Sequence, residues 1–303
     1  MEKKIAGPVV LTLGVFDGVH RGHQVLFKKV VRRARQLGGI SVAYTFDPHP
    51  ARLLAPESAP PMMMSLPQRI RAIQQCGVNR VVVQKFTRSF ARLTPEQFFD
   101  RVIRRRLQAS EVWVGYDFTF GHRRAGTVDR LESLGRAAGI RVRIVQPVLW
   151  RETLVSSTQI RRLLSQAKLQ PAAQLLGKPY TLEGSVIRGR GIGKKILGIP
   201  TANLQPDTSP LLPEGVYATQ TVVGHRHYRS VTNVGKNPTF GTGALSVESH
   251  LFRFHRSILH EKIQIEFVAR IREEIKFSAP ADLADQIHRD METAQALLSG
   301  RRT

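Results

Sequence analysis

Two histidines, His20 and His23, bracket a glycine in the run Gly14-Val15-Phe16-Asp17-Gly18-Val19-His20-Arg21-Gly22-His23, which directly follows an apolar segment of strand character. Imidazoles at the mouth of a helix can donate to phosphate oxygens and stabilise the charge that builds as pyrophosphate leaves. Gly14, Gly18 and Gly22 let the backbone approach a ligand whose phosphates face the free amides of the helix N-terminus. The whole run, Phe16 and Asp17 included, is therefore expected to bind a triphosphate and to serve nucleotidyl transfer. A lone histidine would carry little; the His-Xaa-Gly-His spacing after a strand carries the expectation.

Further along, Ser156-Ser157-Thr158-Gln159-Ile160-Arg161 opens a helix with hydroxyls, free amides and one guanidinium. Alone it reads as a helix cap; after the histidine motif it reads as a second site element, with Arg161 as a source of positive charge. A third constellation is Thr201 and Asn203, two neutral oxygen donors one residue apart, of the kind that holds Mg²⁺ already bound to ATP phosphates. The loop before them, Gly189-Arg190-Gly191-Ile192-Gly193-Lys194-Lys195, lacks the setting of a dinucleotide fingerprint or a P-loop. Its Gly193 and Lys194 are expected near phosphate only because the loop leads to Thr201 and Asn203.

From Val9 to Val148, five strand-length apolar runs (9–16, 40–46, 80–86, 111–115 and 141–148) alternate with helical patterns, which predicts a parallel sheet covered by helices. The C-terminal edge of such a sheet is where ligands bind, and the first and last motifs fall there. Pro95, capped by Thr94, opens one helix, and Cys76 is expected as a small buried residue of another. After Gly177-Lys178-Pro179 the pattern changes to short alternating segments at 181–188, 215–223, 227–234, 245–254 and 261–271. These predict an antiparallel barrel or sandwich, closed by a helix from Pro280 to Leu298. The expected domains are residues 1–179 and 180–303.

The two signatures resemble those of the His-Xaa-Gly-His nucleotidylyltransferase superfamily. A longer likeness covers Gly14–Gln24, Thr45-Phe46-Asp47-Pro48-His49-Pro50 and Val114–Gly121, and is similar to the FMN adenylyltransferase half of bacterial bifunctional riboflavin kinase/FAD synthetases. The likeness implies a Rossmann-like α/β nucleotidylyltransferase domain, with Asp117, His49 and Pro50 near the flavin. In the second half, Gly198-Ile199-Pro200-Thr201-Ala202-Asn203 resembles the flavokinase motif, followed in order by 215–218, 233–235, 238–240, Val247-Glu248-Ser249-His250 and 272–277. The resemblance implies a flavokinase β-barrel in which Thr201 and Asn203 hold magnesium, Glu248 is the catalytic carboxylate and Arg272 lies near flavin or phosphate. Read without it, Glu248 is a strand glutamate on a solvent face, Asp117 a turn residue and His49 a stiffened loop.

Those two chemistries need different residues. Phosphorylating a ribityl hydroxyl calls for a positioned base such as Glu248. Adenylylating FMN uses a phosphate that is already ionised, so alignment and charge stabilisation suffice. The implied substrates are ATP, riboflavin and FMN, with FAD as product.

A net charge of +23, from 46 Lys+Arg against 23 Asp+Glu, suits phosphorylated ligands but equally suits nucleic acid. The chain lacks the aromatic-interleaved basic strands of an RNA-recognition sheet, so a basic RNA-binding protein is the weaker alternative. The arginines, clustered at 32–35, 104–106 and 161–162, read mainly as solvated helix faces. With no signal peptide and no apolar run of about 20 residues, the expectation is a cytoplasmic enzyme of small molecules, not of membranes, with self-association left open.

Two stretches depart from the flavokinase pattern. Lys194-Lys195-Ile196 is one residue longer than usual. After His250, Arg253-Phe254-His255-Arg256-Ser257-Ile258-Leu259-His260 replaces an acidic run that contains a glycine turn. An FMN adenylyltransferase with a degenerate kinase half is therefore the alternative among enzymes.

Overall fold

The computed structural model describes residues 7–189, 199–236, 245–275, 277 and 280–300. Two compact units divide the chain, Met1–Pro60 with Leu66–Ser156, and Pro61–Ser65 with Ser157–Thr303.

In the first unit, β1 (Val9–Leu13), β2 (Ile40–Asp47), β3 (Arg80–Lys85), β4 (Ala109–Gly115) and β5 (Arg141–Val145) form one sheet in the order β3-β2-β1-β4-β5. All its neighbours run parallel. Every residue of β1 is buried, as a central strand covered on both faces requires. One face packs on Phe98, Phe99, Val102, Ile103 and Leu131. Against the sheet lies α1 (Arg21–Gln36), which buries Leu26, Phe27, Val30, Val31 and Ala34 at helical spacing. The helix opened by Pro95 has Thr94 and Gln97 in a reciprocal capping box, then continues as a π-type run through Phe99–Arg106 that the sequence pattern did not announce. Cys76 is half-buried rather than buried, because it falls one residue past the end of α2 (Leu66–Gln75).

Strand order reverses between β1 and β4. At that point two chains leave the sheet in opposite directions and a crevice opens at the strand C-termini. The loops leaving it are the Gly14–His23 run and Gly115-Tyr116-Asp117.

Arg33, unlike most of the clustered arginines, is not a solvated residue. Arg33 donates to the buried Glu111 at 2.6 Å, and Arg141 and the Trp113 indole add weaker contacts. The Arg33 hydrogen bond holds the Glu111 carboxyl below its usual range. Arg32, Arg35 and 104–106 are exposed, as expected.

The second unit begins with α3 (Ser157–Ser165) and α4 (Leu169–Leu176), which pack together, with α4 also against the barrel. The hairpin β6–β7 (Leu149–Trp150, Thr153–Leu154) precedes them in the first unit. The barrel is closed, in the order β10-β11-β12-β9-β8-β13, from β8 (Tyr180–Ile187), β9 (Ala202–Pro206), β10 (Gly215–Val223), β11 (Arg226–Lys236), β12 (Leu245–Leu251) and β13 (Lys262–Arg272). Five of these strands match the expected segments; β9, whose five residues carry Asn203, has no counterpart among them.

Inside, Thr219, Ser230, Thr221, Ser249 and Thr232 close a ring of five hydrogen bonds at 2.7–3.2 Å, each hydroxyl bonded to two others. The last helix, α5 (Pro280–Leu298), lies outside the barrel, with Ala294 and Leu298 on Val216, Ala218 and Val231. It covers an outer face of the barrel.

Candidate active sites

Tight local packing shapes the first turn. Phe16 adopts a left-handed conformation (φ 56°) and folds its ring inward, so a Cβ at Gly14 would lie 2.7 Å from that ring. Gly18 (φ 80°) then reverses the chain into α1. His20 is the N-cap of α1, its Nδ1 accepting from the His23 amide at 3.4 Å. The two imidazoles stack with centroids 3.6 Å apart and 18° between planes, and the Phe16 ring meets His23 edge-on. Burial, and then the neighbouring His20, hold His23 well below its ordinary pKa. It is thus neutral at pH 7, and its buried Nδ1 has no hydrogen-bond partner among the described residues. A buried polar atom left open at a helix N-terminus suits a phosphate oxygen. Asp17 is only 2% exposed, and its charge acts on the buried Arg69.

A cleft of about 630 Å³ opens beside the ends of β2, β3 and β4. Phe46, Phe86, Phe90, Phe98, Phe118 and Phe120 line it, in ring contact from one to the next at 5.6–6.2 Å, with Pro50 on its wall and Arg88, Arg92, Arg123 and Arg124 around it. An aromatic slot of this size accepts a planar heteroaromatic ring. His49 and Asp117 each stand one residue from a lining residue. His49 caps the short helix Pro50–Leu54, its Nδ1 accepting from the Ala51 amide at 3.0 Å, so the loop-stiffening role is realised. Asp117 is exposed in a turn closed by the Phe118 amide on the Gly115 carbonyl.

Of the lining residues, sequence reasoning named Pro50 as a flavin contact and quoted Phe46, Phe118 and Phe120 only as parts of the resembling segments; Phe86, Phe90 and Phe98 were not singled out. The phenylalanines carried a usable signal, since Phe46 stands at the end of β2 and Phe86 and Phe118 come shortly after β3 and β4, all at the ligand-binding edge. Arg69, buried beneath the turn, was missed altogether.

Ser156 is the last residue of the first unit, while Ser157, Thr158 and Arg161 belong to α3 of the second. Arg161 donates from Nε to the Pro61 carbonyl at 2.8 Å within that unit.

In the barrel, strand alternation fixes the face. Val216, Ala218 and Val231 point outward to α5, so Asn233, two residues beyond Val231, also points outward. Glu248 pairs with Asn233 on one side and with Asn203 on the other. Two amides therefore flank one half-buried carboxylate across three adjacent strands, on the outer face. Thr201 is exposed just before β9, and the His250 ring bonds to the Pro200 carbonyl at 2.8 Å beside it. Any side chain at Gly189 would collide with the Asn203 amide.

Asn233, not singled out as a site residue in the sequence, also donates to Glu274 at 3.3 Å. Arg272 is held by Asp290 through Nε and Nη2 at 2.7–3.0 Å, a pair that ties β13 to α5. Gly193 and Lys194, and the Lys194–Ile196 departure, lie outside the described residues.

The other departure folds compactly. Phe254 packs on Tyr228, Arg256 covers Phe254 and pairs with Glu261, and Ile258 is buried. Arg253 (φ 55°) and His260 (φ 68°) take left-handed positions without glycine.

A family model described as FAD synthetase matches residues 2–159, and one described as riboflavin kinase matches residues 176–298. A bifunctional riboflavin kinase/FMN adenylyltransferase of Bacillus subtilis is 36% identical over 97% of this chain and 93% of its own. The chain belongs to the bifunctional riboflavin kinase/FMN adenylyltransferase family. Family relatives of that description in Haemophilus influenzae and Escherichia coli K12 are each 34% identical, over 95% and 94% of this chain and 94% and 91% of theirs. The fold also matches a crystal structure described as a macrolide-efflux protein from Streptococcus pneumoniae, at TM-score 0.85 and 32% identity over 97% of this chain and 96% of that one. Among the described residues no helix is long and apolar enough to cross a membrane.

Proposed function

We propose that the chain phosphorylates riboflavin to FMN on the outer face of the barrel, and adenylylates FMN to FAD at the Gly14–His23 turn. What supports this most is the contrast in chemistry between the units: a stacked histidine pair at a helix N-terminus in one, and a carboxylate flanked by two amides in the other. In the first, backbone amides and the imidazoles would hold ATP phosphates, the aromatic cleft the isoalloxazine ring, and His20 and His23 the charge of departing pyrophosphate. Gly14, Phe16, Gly18 and Gly22 shape the turn, and Ser156, Ser157, Thr158 and Arg161 keep the phosphate role that the resemblance implies. Residues 1–179 would form this functional half and residues 180–303 the other, although packing divides the chain earlier.

In the second unit, Glu248 would accept the proton of the attacking ribityl hydroxyl. Magnesium fits there: Thr201 and Asn203 offer neutral oxygens beside a carboxylate, as expected for an ion that arrives on ATP and keeps its waters. Bound, it would neutralise phosphate charge. Gly193 and Lys194 would cover those phosphates, and Arg272 would act through the Asp290 clamp rather than on the ligand. On this reading the partners are small molecules in the cytoplasm, with no part for membrane or nucleic acid.

The test is chromatography of products after incubation with riboflavin and Mg-ATP, and separately with FMN and Mg-ATP. FMN followed by FAD is expected. A second reading, adenylyl transfer with a silent kinase half, is favoured by the basic 253–260 loop. It would be upheld by FAD from FMN with no FMN from riboflavin.

A further inference from the structure

We propose that Arg69 is a positioning residue for adenylyl transfer, one guanidinium that fixes the separation of the triphosphate turn and the flavin cleft. The inference rests on the adenylylation site assigned above.

Arg69, on α2, is 1% exposed and is the largest of the fully buried side chains. Its Nη1 donates to the Val15 carbonyl at 3.0 Å, and its Nη2 to the Phe46 carbonyl at 2.9 Å. Val15 directly precedes the left-handed Phe16 that underlies His23. Phe46 lines the aromatic cleft and leads, through Asp47 and Pro48, to His49 and Pro50. Thr45 also donates to the Val15 carbonyl, at 3.0 Å, so the turn is drawn to the end of β2 from two sides.

Packing alone does not call for this residue. The other buried residues of α2, Ala72 and Ile73, are apolar, and burying an arginine costs several kcal/mol unless partners offset it. Here Asp17, in the turn, and Asp47, the last residue of β2, both act electrostatically on the guanidinium and oppose its desolvation. The turn and the end of β2 thus each contribute one carbonyl and one carboxylate to the same cation. A planar fork meets two carbonyls at a set spacing, which a flexible ammonium does not. In-line attack of the FMN phosphate on the α-phosphorus of ATP needs that spacing, because a misplacement of about 1 Å can cost about 10²-fold in rate.

Arg69→Met and Arg69→Lys in the full chain test this. For Arg69→Met we expect FAD formation from FMN to lose about 10²-fold in kcat, with KM for ATP and for FMN each within about threefold of the parent. FMN formation from riboflavin, in the other unit, should be unchanged, and the steady KM values report that the first unit has folded. Arg69→Lys should recover only part of the rate. Unchanged kcat in Arg69→Met, a rise of about tenfold or more in either KM, or full recovery by lysine would each overturn the proposal. A parent protein that makes no FAD from FMN would instead sink the functional reading beneath it.

Discussion

On the proposed reading each unit offers a place for ATP, and the two places are built from opposite materials. In the first unit the chemistry sits on loops at the end of a parallel sheet, where backbone amides, a helix N-terminus and imidazole rings provide stabilisation. In the second it sits on strands, where the pairing register alone brings Asn233, Glu248 and Asn203 into line. That contrast locates the weakness of each site. A loop site depends on the parts that hold its loops in place, such as Phe16 and Arg69. A strand site depends on register, which moves only if the barrel does.

The steepest loss is expected where the strand site is deprived of its proposed base. Glu248→Gln should lower FMN formation by about 10²–10⁴-fold and leave FAD formation from FMN intact, measured by product chromatography. The reverse pattern is expected of His23→Ala, with FAD formation down by about 10²–10³-fold at unchanged kinase rate. Equal loss of both activities in either variant would contradict the separation of the sites.

Phe90→Ala should probe the cleft assignment by raising KM for FMN about tenfold, since an aromatic contact contributes about 1 kcal/mol beyond burial, with KM for ATP steady. The most modest change concerns pH. His23 in the folded chain titrates below its ordinary value of 6.5, so below about pH 6.5 the unfolded chain binds more protons and the first unit loses stability. The loss should not exceed about 1.4 kcal/mol per pH unit. Thermal unfolding of the first unit at pH 7.5 and 5.5 should show it, and His23→Gln should flatten it.

Much of this was legible in the residues because local pattern and global fold agree. Five parallel strands, the capping Thr94 and α5 at Pro280–Leu298 all follow from periodicity and caps. Strand β9 was hidden because its residues, Ala202-Asn203-Leu204-Gln205-Pro206, are few and end in proline. The aromatic cleft was hidden because its six phenylalanines come from four separate stretches of chain, and spacing along the sequence does not reveal convergence. Arg69 looked like any helix arginine, since burial of a charge is decided by what packs over it.

The ring of hydroxyls inside the barrel has a direction. Five hydroxyls carry five protons, and the ring contains five bonds, so every proton and every acceptor position it uses is committed. Because Thr232 donates to Ser249, the remaining four bonds are forced to run in one sense around the circle. Such a ring behaves as a single object: deleting any one hydroxyl orphans a donor on one side and an acceptor on the other, and a second deletion next to it costs less than the first. These five hydroxyls therefore have no proton left to offer a ligand inside the barrel.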